Sequence, residues 1–258
     1  MAVEYSREGN VGYITLNNPP ANSYEYSFME ELGECVDAAA DDAGARVVIF
    51  RSALDRFFSA GADIKAFNAN MTEKNMDMIR LAHENLGRIA ETPKVFIAQI
   101  GATALGGGLE MALACDLRFG AEGEYYLGLP EATLGLLPGN GGTQRLPRLI
   151  GRAKALDLMV TGRRLSPTEA YELGVLDRLF PADKLEEETL KYAEGLAAGA
   201  AAAIGSIKLA VHRGMDRPLQ EGLEIERELV EPLFEGEESR EGITAFMEKR
   251  KPEFVKQT

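Results

Sequence analysis

Cysteine and histidine are scarce in this 258-residue chain, with two of each. Cys35 and Cys115 have no partner at metal-ligand or redox-motif spacing, so no metal site and no dithiol centre is expected. Cys115 ends the apolar run from Met111, which reads as a buried thiol. His83 and His212 fall on amphipathic helical stretches. Ser59 lacks the setting of a nucleophile elbow, and no Ser-His-Asp order is present. Positive charge is short as well. Twenty-eight Lys and Arg face 41 Asp and Glu, and the net charge of −13 argues against non-specific binding to nucleic acid or an acidic membrane. No window approaches the roughly 20 apolar residues of a membrane span, and Met1–Glu8 has no apolar targeting core. These absences fit a protein of the reducing cytoplasm.

What is present is a good core-former, 45% hydrophobic. Val11–Leu16, Val47–Phe50 and Val95–Ala98 read as strands, the last two as runs buried on both faces. Phe28, Leu32, Cys35, Val36 and Ala39 recur at helical spacing. A second helix runs through Met78, Leu81, Leu86 and Ile89. Phe57–Asp63 reads as a turn of small residues, and a short helix over Leu109–Ala114 follows the turn Gly106-Gly107-Gly108. This alternation favours an α/β core. Beyond about Leu146 the texture becomes Ala-, Leu- and Glu-rich, with helices expected over 184–197, 202–214, 218–234 and 239–249.

The glycine turns fail as nucleotide loops. Gly106-Gly107-Gly108 is not followed by Gly-Lys-Ser/Thr, and Gly139-Asn140-Gly141-Gly142-Thr143-Gln144 has no third fingerprint glycine. Their remaining chemistry is backbone N–H donation to an anion at a helix start. Glu110 and Glu131 each lie beside such a turn, and paired carboxylates suit acid/base work. The chemistry left by elimination is carboxylate catalysis with backbone stabilisation of an oxyanion.

Four blocks in this order resemble the crotonase superfamily, and within it the enoyl-CoA hydratases. They are Phe58–Lys65, Ala104–Glu110 with Cys115-Asp116, Leu129–Leu146, and Arg240–Lys251. The resemblance spans about Val11 to Phe254. It implies a spiral α/β core of ββα units over residues 1–196 and a helical C-terminal region, 197–258, that drives trimerisation or a dimer of trimers. It implies an acyl-CoA substrate, with coenzyme A part of that substrate and no separate cofactor. By the resemblance, Glu110 and Glu131 are the hydratase carboxylates. Together they hold a water that adds at C3, and Glu131 returns a proton to C2. The N–H groups of Ala62 and Gly107 match the oxyanion pair. Ala60, Asp63 and Ile64 match the stretch lining the adenine pocket. Phe246 and Lys249 match positions closing over CoA, often from a neighbouring subunit, with Lys249, Arg250 and Lys251 supplying local positive charge. The alternatives are a Δ3-Δ2-enoyl-CoA isomerase or another crotonase-type lyase, and a non-catalytic RNA-binding or scaffold relative.

Two departures from the family pattern stand out. Tyr24 replaces an aliphatic residue near the entry of the CoA arm and reads as a packing change. The loop Gly120–Tyr126 is about one residue longer than usual, which a loop absorbs without moving its ends. Gly128 and Leu129 stand where polar residues are common, which predicts a more apolar acyl pocket.

Overall fold

A computed structural model describes residues 1–255. The described residues form nine strands, β1 (Val3–Glu8), β2 (Val11–Leu16), β3 (Val47–Ser52), β4 (Phe57–Ser59), β5 (Val95–Ile100), β6 (Thr103–Leu105), β7 (Leu117–Ala121), β8 (Leu127–Gly128) and β9 (Arg178–Phe180). They form two sheets. The larger has the order β1-β2-β3-β5-β7-β9, antiparallel only between β1 and β2; the smaller has the order β4-β6-β8, all parallel. Successive turns of chain give one strand to each sheet: β3 then β4, β5 then β6, β7 then β8. This is the expected spiral of ββα units.

The helices are α1 (Tyr26–Asp41), α2 (Ile64–Ala69), α3 (Thr72–Glu91), α4 (Gly107–Ala114), α5 (Gly142–Ile150), α6 (Arg152–Thr161), α7 (Pro167–Leu173), α8 (Leu185–Ala197), α9 (Ala201–Gly214), α10 (Leu219–Glu235) and α11 (Glu237–Glu248). The periodic apolar residues behave as physics requires. Phe28, Leu32, Cys35, Val36 and Ala39 line the buried face of α1, and Met78, Leu86 and Ile89 that of α3. The central strands are buried on both faces because helices cover the sheet. Helix α4 is buried along its whole length, which explains its lack of polar residues other than Glu110.

Two local expectations change, and β1 adds a strand beyond those expected. β1 pairs with β2 although its outward residues are polar, because only one face needs to be apolar in an edge strand. Phe57–Ser59 is a strand rather than a turn, held by β6. Helix α4 starts at Gly107, two residues early, because the preceding glycine carries φ +54°. No single helix among the described residues is long and apolar enough to cross a membrane.

The C-terminal helices are tied to the core by a buried cation. Lys208 on α9 donates to the carbonyls of Ile89 and Lys94, both at 2.7 Å, and pairs with Asp116 at 2.8 Å. Asp116 also accepts the Phe96 N–H at 2.7 Å and faces His212 Nε2 at 2.8 Å. Both histidines thus bond groups distant in sequence, His83 meeting the Gly139 carbonyl. A row of large apolar side chains on α9 to α11 stays exposed, including Ile207, Val211, Met215, Phe234, Phe246 and Met247.

Candidate active site

The site lies where the ends of β4, β6 and β8 open onto α4. Asn22, fully buried, organises its first wall. Its Nδ2 donates to the Phe58 carbonyl at 2.9 Å, and its own carbonyl accepts the Ser59 hydroxyl at 2.7 Å. The chain then runs alongside the next loop: Tyr24 N–H donates to Gly61 O at 3.0 Å, and Asp63 N–H to Tyr24 O at 2.8 Å. Gly61, with φ +90°, lies so close to α4 that a β-carbon there would stand 3.2 Å from the Gly107 nitrogen. This approach brings Ala62 and Gly107 to one edge. Neither N–H has an acceptor among the described residues. Two free donors at the mouth of a cavity, one opening a helix, suit a developing oxyanion.

The wall opposite carries the acids. Glu110, in the first turn of α4, is only 2% exposed. Its Oε1 accepts the N–H groups of Asn140 at 2.8 Å and Gly142 at 2.7 Å. Burial outweighs these bonds and, with the negative charge of Glu131 adding to it, pushes the Glu110 carboxyl up to about 7. Glu131 opens a 3-10 turn, Glu131–Leu134, after Pro130. Its Oε1 sits 3.0 Å from where a side chain on Gly106 would begin. Its Oε2 is buried without a protein partner, and burial raises its carboxyl as well. In the loop Gly120–Tyr126 before it, the Tyr125 hydroxyl bonds Ile100 O and Ala121 O, and β8 pairs with β6 beyond that loop.

Both carboxylates line one cavity of about 510 Å³, together with Ala60, Ala62, Ile64 and Gly107. Asp63 does not line it. Its carboxylate caps α2, accepting from Lys65 and Ala66 N–H groups. Phe246 and Lys249 belong to α11 and its C-cap, away from this cavity within one chain, and Phe246 is 85% exposed. Arg250 is neutralised by Glu241 at 2.6 Å and Glu248 at 2.7 Å, so the local charge of the Lys249–Lys251 run is smaller than its composition suggests.

The apolar lining comes from other residues than those expected. Gly128 faces Arg163 and Arg164, and Leu129 packs under Gly142, so neither reaches the cavity. Phe67, Met76, Ile79, Leu136 and Leu137 do. Two polar residues of the site were not singled out for it. Tyr24 is buried at the cavity wall, and its hydroxyl accepts the Asn140 side-chain amide at 2.6 Å. Asn140 is buried too, and its carbonyl is held by Arg145 at 2.9 Å. The signal was there: a tyrosine in place of an aliphatic residue, and an asparagine inside a glycine loop.

The chain matches the model of the enoyl-CoA hydratase/isomerase family over residues 6–257. It belongs to that family. It is 40% identical over 258 residues to a probable enoyl-CoA hydratase of Bacillus subtilis, with 98% of each chain covered. It is 35% identical over 254 residues to an enoyl-CoA isomerase/hydratase of Mycosarcoma maydis, covering 95% of this chain and 92% of that one. Among solved structures, the crystal structure of an enoyl-CoA hydratase from Geobacillus kaustophilus superposes with a TM-score of 0.96 at 41% identity, covering 98% and 96% of the two chains. An enoyl-CoA hydratase from Bacillus anthracis gives 0.94 at 37% identity, covering 98% and 99%. The fold is therefore the crotonase fold that the spiral of this family member suggested.

Proposed function

We propose that the protein is a 2-enoyl-CoA hydratase, adding water syn across the C2=C3 bond of an acyl-CoA thioester to give a 3-hydroxyacyl-CoA. The observation that carries this reading is the convergence of Glu110, Glu131 and the Ala62 and Gly107 N–H groups on one cavity. The two carboxylates hold a water, and one removes its proton as the oxygen bonds C3. Electron density moves onto the thioester oxygen, which the Ala62 and Gly107 N–H groups hold. Collapse of the enolate takes a proton at C2 from Glu131, which enters the step as the carboxylic acid. The proton taken from water stays on Glu110, so the pair keeps one proton. The Asn140 and Gly142 N–H groups fix Glu110 through Oε1 and leave its other oxygen to reach the water.

Ala60 and Ile64 border the path for the CoA moiety in this reading, with Asp63 shaping the α2 start rather than offering its side chain. Phe246 and Lys249 close over CoA from a second subunit. Exposed apolar residues on α9 to α11 support a homotrimer or a dimer of trimers.

The test is the loss of conjugated-enoyl absorbance when crotonyl-CoA is the substrate. Glu110→Gln and Glu131→Gln should each cut turnover strongly while leaving CoA binding intact. Full activity in either variant removes that residue from the mechanism. The family name and the isomerase/hydratase relative favour one second reading, Δ3-Δ2 isomerisation. Conversion of a 3-enoyl-CoA faster than hydration of the 2-enoyl isomer would establish it instead.

A further inference from the structure

The Tyr24 hydroxyl makes one hydrogen bond among the described residues, and in it the oxygen is the acceptor. Asn140 Nδ2 donates to it at 2.6 Å. The tyrosine's own hydrogen has no acceptor among the described residues. The residue is 4% exposed and lines the same cavity as both carboxylates. A buried hydroxyl hydrogen left unpaired costs about 1–3 kcal/mol, so such groups normally find an acceptor. Here the cavity is where one can come from.

The position of the hydroxyl narrows the choice. A β-carbon on Gly107 would lie 1.7 Å from Tyr24 Oη, so the hydroxyl rests directly on the Gly107 backbone. At its other end Tyr24 is paired through its backbone with the Gly61–Asp63 loop, next to Ala62. The residue thus spans the two free N–H groups of the site. An oxygen held by those N–H groups is an acceptor that a ligand would bring beside the Gly107 backbone, where the hydroxyl rests.

We propose that Tyr24 is a third oxyanion donor, its hydroxyl hydrogen bonding the thioester oxygen alongside the Gly107 and Ala62 N–H groups. This rests on the acyl-CoA reading above but not on hydration itself. Asn140 has a double part. Its side chain holds the Tyr24 oxygen and aims the hydrogen, while its backbone N–H holds Glu110 at 2.8 Å. The donor remains protonated at working pH, because burial and the charges of Glu110 and Glu131 raise its pKa.

Tyr24→Phe in the full chain keeps the ring and removes only the hydroxyl. Three readouts test it. One is hydration of crotonyl-CoA. Another is exchange of the C2 hydrogen of butanoyl-CoA in heavy water, which forms the enolate by moving one proton to a carboxylate and back but adds no water. The third is the infrared stretch of the bound butanoyl-CoA thioester carbonyl. Hydration and exchange should both fall, about 10- to 100-fold, in kcat rather than KM. The carbonyl band should move to higher wavenumber. A fall in hydration with unchanged exchange and carbonyl band would assign the hydroxyl to the water instead, and overturns the proposal. Unchanged rates overturn it too. If the wild type exchanges C2 hydrogen but hydrates no 2-enoyl-CoA, the hydratase reading fails while loss of exchange in Tyr24→Phe still upholds the donor. Should that variant not fold, Tyr24→Leu carries the same readouts.

Discussion

The hydroxyl oxygen of Tyr24 occupies the space a side chain on Gly107 would need, 1.7 Å from the position of its β-carbon. Gly107 opens α4 and offers a free N–H to the cavity. A glycine is thus demanded here by a neighbour's side chain as well as by the ligand. Gly107→Ala should destabilise the fold by about 1–3 kcal/mol through overpacking and depress turnover by at least about 10²-fold. Shortening the neighbour in a Tyr24→Leu/Gly107→Ala double variant should recover much of the stability. Melting temperatures of the two single variants and the double variant check this. Simple additivity of the two changes would mean the residues do not compete for space.

Turnover should follow the ionisation of the acid pair. The base must be a carboxylate, and burial lifts Glu110 to about 7. kcat/KM should therefore rise with pH through a limb near 7 rather than near the ordinary value of 4.5. Apparent values belong to the pair, because Glu131 contributes to the lift. Residual turnover of Glu131→Gln should show its acid limb at lower pH, as a like charge has gone. A pH profile of each protein decides it, and a wild-type limb near 4.5 would contradict the buried-base picture.

The same burial predicts a trade between activity and stability. A carboxyl whose folded pKa lies above its unfolded value holds its proton more tightly when folded. Stability then falls as pH rises from about 4.5 toward about 7, and the loss is fully present above that. Glu110→Gln removes the charge but keeps an acceptor for the Asn140 and Gly142 N–H groups. It should be more stable than wild type by about 1–3 kcal/mol near pH 8 and no more stable near pH 4. Urea melts at the two pH values measure the difference.

Lys208 is nearly buried and meets two carbonyls and Asp116. Lys208→Ala leaves Asp116 without its cation, which should cost about 3–5 kcal/mol. Loss of stability with little change in the kcat of the surviving folded enzyme is the expected pattern. Denaturant midpoints and active-site titration separate the two effects. A neutral result would mean that His212 and the Phe96 N–H satisfy Asp116 alone.

Much of this molecule follows from local rules in the chain. Helical spacing gave α1 and α3 their buried faces, and unbroken apolar runs marked β3 and β5, because burial on one face or two leaves a period that can be read. Glu110 and Glu131 drew attention because each stands beside a glycine turn, and both line one cavity. The short strands β4 and β8 were not legible, since two or three residues carry no period and their pairing partners lie far along the chain.

Only the tertiary structure decided what meets what. It assigned the apolar lining to α2, α3 and the loop after Glu131 rather than to Gly128 and Leu129. It gave the Asp63 carboxylate a cap at the start of α2, and made Tyr24 a buried hydroxyl on Gly107 rather than a packing change alone. The reason is physical. Residue type and spacing determine which groups are polar, apolar or free to turn. Whether a hydroxyl finds an acceptor, or a carboxylate loses its water, depends on elements distant in sequence that close around it.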